Sequence, residues 1–238
     1  MKNNAKKGVK KSTQKIKHRH ITIIEHIKKN PEKAAIYACF VVLFLLSFAV
    51  RKSLIPYSAG DYNAFSSWYD YLNIHGLHSF RYSFSNYNPP YTYFLYLVTL
   101  LPISKIYAIK GLLIFFDFLL AYSVYLVVKE VNNKSYIALI AGTLTLFLPS
   151  VLLNGALWGQ FDNFYTAFVM FSLYFVLKKN SRWAWVCFGI ALAIKLQAIF
   201  FLPVLVIMMF RRVRWYDAIW GGLAFLILTF PPVRRASR

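Results

Sequence analysis

The sequence predicts an all-α, polytopic transmembrane protein, and three observations lead there. Its residues are 58% hydrophobic and 19% aromatic, above the roughly 45–50% apolar share of a soluble domain, and its mean hydropathy is +0.48. Past residue 33 the apolar residues gather into runs at 34–50, 91–101, 106–128, 135–153, 163–177, 183–194, 196–210 and 215–230. The cations stand between those runs, and eleven of the 28 Lys and Arg residues precede residue 34. A net charge of +20 would suggest nucleic acid as the partner of a soluble chain. Cations placed this way act instead as topology signals, so the expected partner is a membrane and not nucleic acid.

Residues 1–33 are read as a basic cytoplasmic tail that touches anionic lipid. Run 34–50 passes directly into Arg51-Lys52 without a small-residue cleavage site, so it is a retained first span and not a signal peptide. The first external loop then covers 51–106. Within it, run 91–101 would rise only about 16 Å as a helix, too little to cross roughly 30 Å of hydrocarbon. It is therefore an interfacial or re-entrant helix, and Tyr91, Tyr93, Phe94 and Tyr96 suit a membrane interface.

Run 106–128 returns the chain to the cytoplasmic Lys129–Lys134 cluster, 135–153 crosses outward, and 154–163 forms the second external loop. Run 163–177 crosses back to the cations of 178–182. A single span over 183–210 would put Arg211, Arg212 and Arg214 outside, so two short helices turning near Lys195 are expected. The last run leaves Arg234, Arg235 and Arg238 outside, against the rule, as a chain that stops partway through its fold would. Cys39 and Cys187 lie inside apolar runs and offer neither a disulfide framework nor metal-ligand spacing.

This topology restricts the chemistry. Of eight acidic residues, Asp61, Asp70 and Asp162 alone are external, so an outward-facing general base must come from these three. Asp61 follows Gly60 and can cap a helix beginning near Tyr62. Asp70 stands nine positions on and faces roughly the opposite way on a continuous helix. The second loop places Asn154, Trp158, Gly159, Gln160 and Asp162 within ten residues, where a bare connection needs only a turn. Lys195 interrupts an apolar stretch and is costly there unless paired or open to a cavity. Beside Gln197, it can meet a lipid-linked phosphate as a compact charge. Lys110, near the external end of its helix, can reach the same phosphate, while Asp117 suits a hydrogen bond to a neighbouring helix.

The ordered set Gly60-Asp61, Trp68, Asn86-Tyr87-Asn88-Pro89-Pro90-Tyr91, Asn154, Trp158-Gly159-Gln160-Phe161-Asp162 and Lys195-Leu196-Gln197 resembles bacterial relatives of the glycosylphosphatidylinositol mannosyltransferases, within the GT-C superfamily. The resemblance implies a hexosyltransferase of the bacterial cell envelope, with its N-terminus cytoplasmic and its site extracytoplasmic. Its donor would be a polyprenyl-phosphate-linked sugar, mannose among the candidates, and its acceptor a lipid, glycan or protein. By the resemblance Asp61 is the catalytic acidic residue, deprotonating or orienting the acceptor hydroxyl, and Asp162 holds a metal or the acceptor. Asn88, Trp158, Gln160, Lys110, Lys195 and Gln197 complete the expected substrate-binding set. Such enzymes divide between metal-dependent and metal-independent chemistry, which leaves a divalent metal open. Relatives continue with further spans, whereas the tail from Pro231 to Arg238 is unlike theirs. A truncated chain without its C-terminal spans is therefore expected, and such a fragment need not be active. The competing class is a transporter or lipid-sugar flippase with Asp117 and Lys195 along its path. Polar groups concentrated at one face, without internal repeats, favour the transferase.

Overall fold

A computed structural model describes residues 31–132, 134–210 and 214–230. The basic arm through residue 30, the Arg211–Arg212 pair and the cations after residue 230, on which parts of the expected topology rest, lie outside the described residues. The regular elements are helices, and no strand occurs among the described residues. Two compact units divide at Leu45 and Leu46. The first contributes the opening part of helix α1, Pro31–Leu54, and the second holds everything that follows.

Within the second unit α2 spans Tyr62–His75 and α3 spans Pro89–Thr99. The long α4 covers Lys105–Val131, and α5, Ser135–Phe147, runs into the short α6, Pro149–Leu153. A wider turn at Asn154–Trp158 leads to α7, Asp162–Leu177. Helix α8, Ser181–Ile194, is followed by α9, Leu202–Met209, and α10, Ala218–Thr229. Among the described residues two helices, Ala34–Leu54 and Lys105–Val131, are long and apolar enough to cross a membrane, and a third span results if the pair that bends by 52° after Phe147 counts as one. Pro149 explains that bend, because a proline cannot supply the amide the continuing helix needs.

The short helix of the first loop begins at Pro89, two residues before the apolar run. Asn88 is extended ahead of it and two prolines occupy its first positions, where their missing amides cost nothing. Tyr91 and Leu95 turn inward from α3 and join Phe65 and Leu72 of α2, Leu113 and Phe116 of α4, Phe161, Phe164 and Ile194 in one buried cluster. Tyr91 meets Phe161 edge-on at 4.2 Å, and Phe116 meets Phe164 at 3.8 Å. The first loop is thereby clamped onto the start of α4, the start of α7 and the end of α8.

The chain doubles back at Lys195, as the placement of charge predicts. Lys195 is extended, with φ −149° and ψ 126°, which stops α8. Leu205 of α9 is buried with Trp185 and Phe188 of α8. The Arg214 amide donates to Ser181 Oγ at 2.8 Å, and Trp185 Nε1 donates to the Arg214 carbonyl at 3.2 Å. By Arg214 the chain has thus returned to the starting end of α8. At that end Lys178 pairs with Glu130 at 2.9 Å and Arg214 with Asp217 at 3.0 Å. Over its 27 residues, α4 is about 40 Å long, and it separates this end from the clamped loops. Helices α8 and α10 touch where Gly189 faces Gly221, and a Cβ at Gly189 would strike the Gly221 backbone. Small residues give this close approach.

Candidate functional site

Two loops meet where α2, α4, α7 and α8 have their ends. Gly60 has φ +61°, and a Cβ there would stand 2.8 Å from the Trp158 carbonyl. Gly159 answers it with φ +69° and a Cβ position 3.2 Å from Tyr62 Cβ. Positive φ is cheap for glycine alone, so at these two positions the residue type permits both the turn and the contact. The Asp61 amide donates to the Trp158 carbonyl at 3.1 Å, which joins the first external loop to the second. Asp61 occupies the N-cap of α2, but its carboxylate makes no capping bond. The Tyr87 phenol lies close enough to feel that carboxylate, whose charge helps to raise its pKa.

Asn154 organises the second loop. Its carbonyl accepts the Gln160 amide at 2.8 Å, and its Nδ2 donates to Gln160 Oε1 at 3.0 Å and Asp162 Oδ2 at 3.3 Å. Asp162 Oδ1 accepts from Lys195 Nζ, which closes an ion pair between the start of α7 and the end of α8. The same ammonium stands 5.9 Å from the ring centres of both Tyr87 and Tyr165. Burial alone lowers the Lys195 pKa, but the hydrogen bond and charge of Asp162, with the two tyrosines, outweigh it and raise the value above that of an ordinary lysine. Burial raises the Tyr87 phenol; Lys195 opposes this, while Asp61 and Asp162 add to it. Tyr87 therefore stands among all three charges as a protonated donor.

Asn86, Tyr87, Asn88, Ile194, Lys195, Leu196 and Gln197 line an open cleft of about 280 Å³. The structure thus brings Asp61, Asn88, Gln160, Asp162, Lys195 and Gln197 to one neighbourhood, with Trp158 on the loop that holds Asp61. Asp70 is elsewhere, its exposed carboxylate paired with Lys105 at 2.8 Å. Lys110, expected to reach phosphate, is not on the cleft. It is fully buried, and its ammonium donates to the Tyr57 carbonyl and, at 3.4 Å, to the Leu157 carbonyl. It ties the chain before Asp61 to the chain before Trp158.

Sequence reasoning missed Tyr87 as the partner of Asp61, and it missed Arg51. Arg51 Nε donates to Asp117 Oδ2 at 2.8 Å, with both side chains fully buried, and Arg51 also donates to the Leu146 carbonyl at 2.8 Å. Asn163 Nδ2 donates to Asp117 Oδ1 at 2.6 Å and to the Val151 carbonyl at 3.1 Å. Asp117 therefore bonds a neighbouring helix, as expected, and it grips the residue that follows Asp162. The available signal was a lone arginine and a lone aspartate in otherwise apolar helices. Among the described residues, no three His, Cys, Asp or Glu side chains gather as metal ligands would.

Compared with known proteins, residues 84–236 match glycosyltransferase family 87. The matched range includes every candidate substrate-binding residue and begins after Asp61. It supports glycosyl transfer and does not reach the narrower likeness to mannosyltransferases. No curated protein matches the chain, and no solved structure does.

Proposed function

The chain belongs to glycosyltransferase family 87, and from that premise we propose that it moves a hexose from a polyprenyl-phosphate donor to an extracytoplasmic acceptor, as a GT-C-type membrane enzyme. The observation that carries this reading is the convergence of Asp61, Tyr87 and the Asp162–Lys195 pair at one end of the helical bundle, around an open cleft. In the proposed step an acceptor hydroxyl oxygen attacks the anomeric carbon and forms the new C–O bond. The bond from that carbon to the phosphate oxygen breaks, and its electron pair leaves with the polyprenyl phosphate. The hydroxyl proton passes to the Asp61 carboxylate, beside which the Tyr87 phenol stands.

Lys195 supplies positive charge where the departing phosphate gains negative charge, and such fixed charge is worth most in a partly dry site. Asp162 and Asn154 fix its position, while Lys110 fixes the backbone around Asp61. Apolar α3 lies beside this site as the interfacial or re-entrant element, and exposed Leu196 and Phe200 extend the cleft with surface suited to a prenyl chain. The transport reading required Asp117 and Lys195 along one path. Asp117 is instead enclosed by Arg51 and Asn163, which favours the enzyme.

The test is donor consumption by the purified full chain in proteoliposomes, with radiolabelled polyprenyl-phosphomannose and polyprenyl-phosphoglucose supplied separately and an envelope lipid extract as acceptor. Asp61→Asn keeps the shape but removes the base, so turnover of the active donor should fall at least about 10²-fold. Undiminished turnover in a folded variant removes Asp61 from the chemistry. Donor movement across the vesicle membrane without bond cleavage would replace the transferase with a flippase.

A further inference from the structure

A second cleft, of about 190 Å³, shares Tyr87 and Asn88 with the Lys195 cleft. Its wall is drawn from residues 80–92 alone, and those two residues line both clefts. Phe80, Tyr82 and Phe84 supply aromatic rings, while Ser83, Ser85 and Arg81 offer polar groups. No ion pair engages Arg81 among the described residues, and its side chain is exposed. Aromatic faces edged with hydroxyls suit a sugar ring. The volume is below the roughly 300 Å³ at which pockets for larger ligands begin, so the cleft suits one ring. A guanidinium without a carboxylate partner adds a site for phosphate or carboxylate.

The division between the clefts follows from their surroundings. The Lys195 cleft is lined in part by exposed Leu196 and leads into the segment that carries exposed Phe200, apolar surface that suits a prenyl chain. The Arg81 cleft has no lining residue from α4 to α10. Tyr87 lines both clefts, and the Asp61 carboxylate is near enough to act on its phenol. A base beside a residue shared by two clefts is placed to take a proton from a molecule in one as it attacks a molecule in the other.

We propose that the Arg81 cleft is the acceptor subsite and that it takes a single sugar ring bearing a phosphate or carboxylate; its role as acceptor subsite rests on the transferase reading, whereas its anion preference can be measured without turnover. The full chain in phosphatidylcholine nanodiscs would be titrated with a neutral methyl hexoside, a hexose 6-phosphate, a hexuronate and glycerol 3-phosphate, with binding read by saturation-transfer NMR. Both anionic sugars should bind at least about 10-fold more tightly than the neutral ring, the worth of one charge-assisted hydrogen bond. Arg81→Gln should erase that difference, Arg81→Lys should retain part of it, and Lys195→Gln should leave it intact. Equal binding of neutral and anionic rings, or a preference that survives Arg81→Gln, overturns the proposal. A preference lost in Lys195→Gln instead assigns the anion to the other cleft, and glycerol 3-phosphate binding as tightly as the hexose phosphate assigns Arg81 to a lipid headgroup; either result overturns it. Absence of sugar transfer alongside the expected binding would count against the transferase and not against this anion site.

Discussion

Lys195 shows how one residue's neighbours decide its chemistry. A lysine at the edge of an apolar bundle ordinarily loses charge through burial, yet here Asp162 more than reverses that effect. The folded pKa lies above the ordinary lysine value, so the pair contributes stability below about pH 10.5, the usual lysine pKa, and loses it as pH rises through the folded value. The pH dependence of amine labelling at Lys195, followed by mass spectrometry, tests this. In the wild-type chain, reactivity should set in above the usual lysine range. Asp162→Asn removes the main opposing influence and leaves burial, so the onset should move to lower pH. An onset that does not move would show that Asp162 does not hold the ammonium.

At the scale of the elements, the buried ion pair between α1 and α4 has the largest expected consequences. Removing one partner from a buried pair leaves an uncompensated charge, at a cost of about 3–5 kcal/mol, whereas replacing both with apolar side chains of similar volume is often neutral. Asp117→Leu alone should therefore lower the thermal stability of the detergent-solubilised chain markedly, and Arg51→Met with Asp117→Leu should recover most of the loss. A double variant no more stable than the single one would mean that the Leu146 carbonyl and Asn163 depend on the pair for their own satisfaction. Much of the helical layout was legible beforehand, because apolar runs and prolines act locally: run 106–128 lies within Lys105–Val131, and a charge inside an apolar stretch marked the break at Lys195. The bend at Leu148–Pro149 was not separated from its run, since a proline inside a long apolar segment is also found in continuous spans. Arg51 and Asp117 are 66 residues apart, and no periodicity connects them. The contact of Tyr87 with Asp61 likewise depends on how α3 packs, which spacing along the chain does not encode.

Within the second unit, chemistry and an excess of positive charge occupy different ends. Lys178, Lys179, Arg182 and Arg214 surround the start of α8, while Asp61, Asp162 and Lys195 lie at the other end of the bundle. The proposed extracytoplasmic site requires the first end to face the cytoplasm, as the positive-inside rule expects. Single cysteines at exposed Ser67 and Gln197, in a chain with Cys39 and Cys187 replaced by serine, should react with an impermeant thiol reagent added to intact cells. One at exposed Lys179 should react only after permeabilisation. The opposite pattern would turn the site toward the cytoplasm and remove the extracytoplasmic acceptor.

The Arg51–Asp117 pair also sets a timetable for biogenesis. With 66 residues between the partners, a ribosome adding about 5–20 residues per second makes Asp117 roughly 3–13 s after Arg51. For those seconds the guanidinium at the end of α1 has no carboxylate to join, and the bilayer interior is a poor place to wait. Until α4 is made, Arg51 has only water, headgroups or the translocon as partners. The buried pair that ends the first helix is thus completed by the synthesis of a later one.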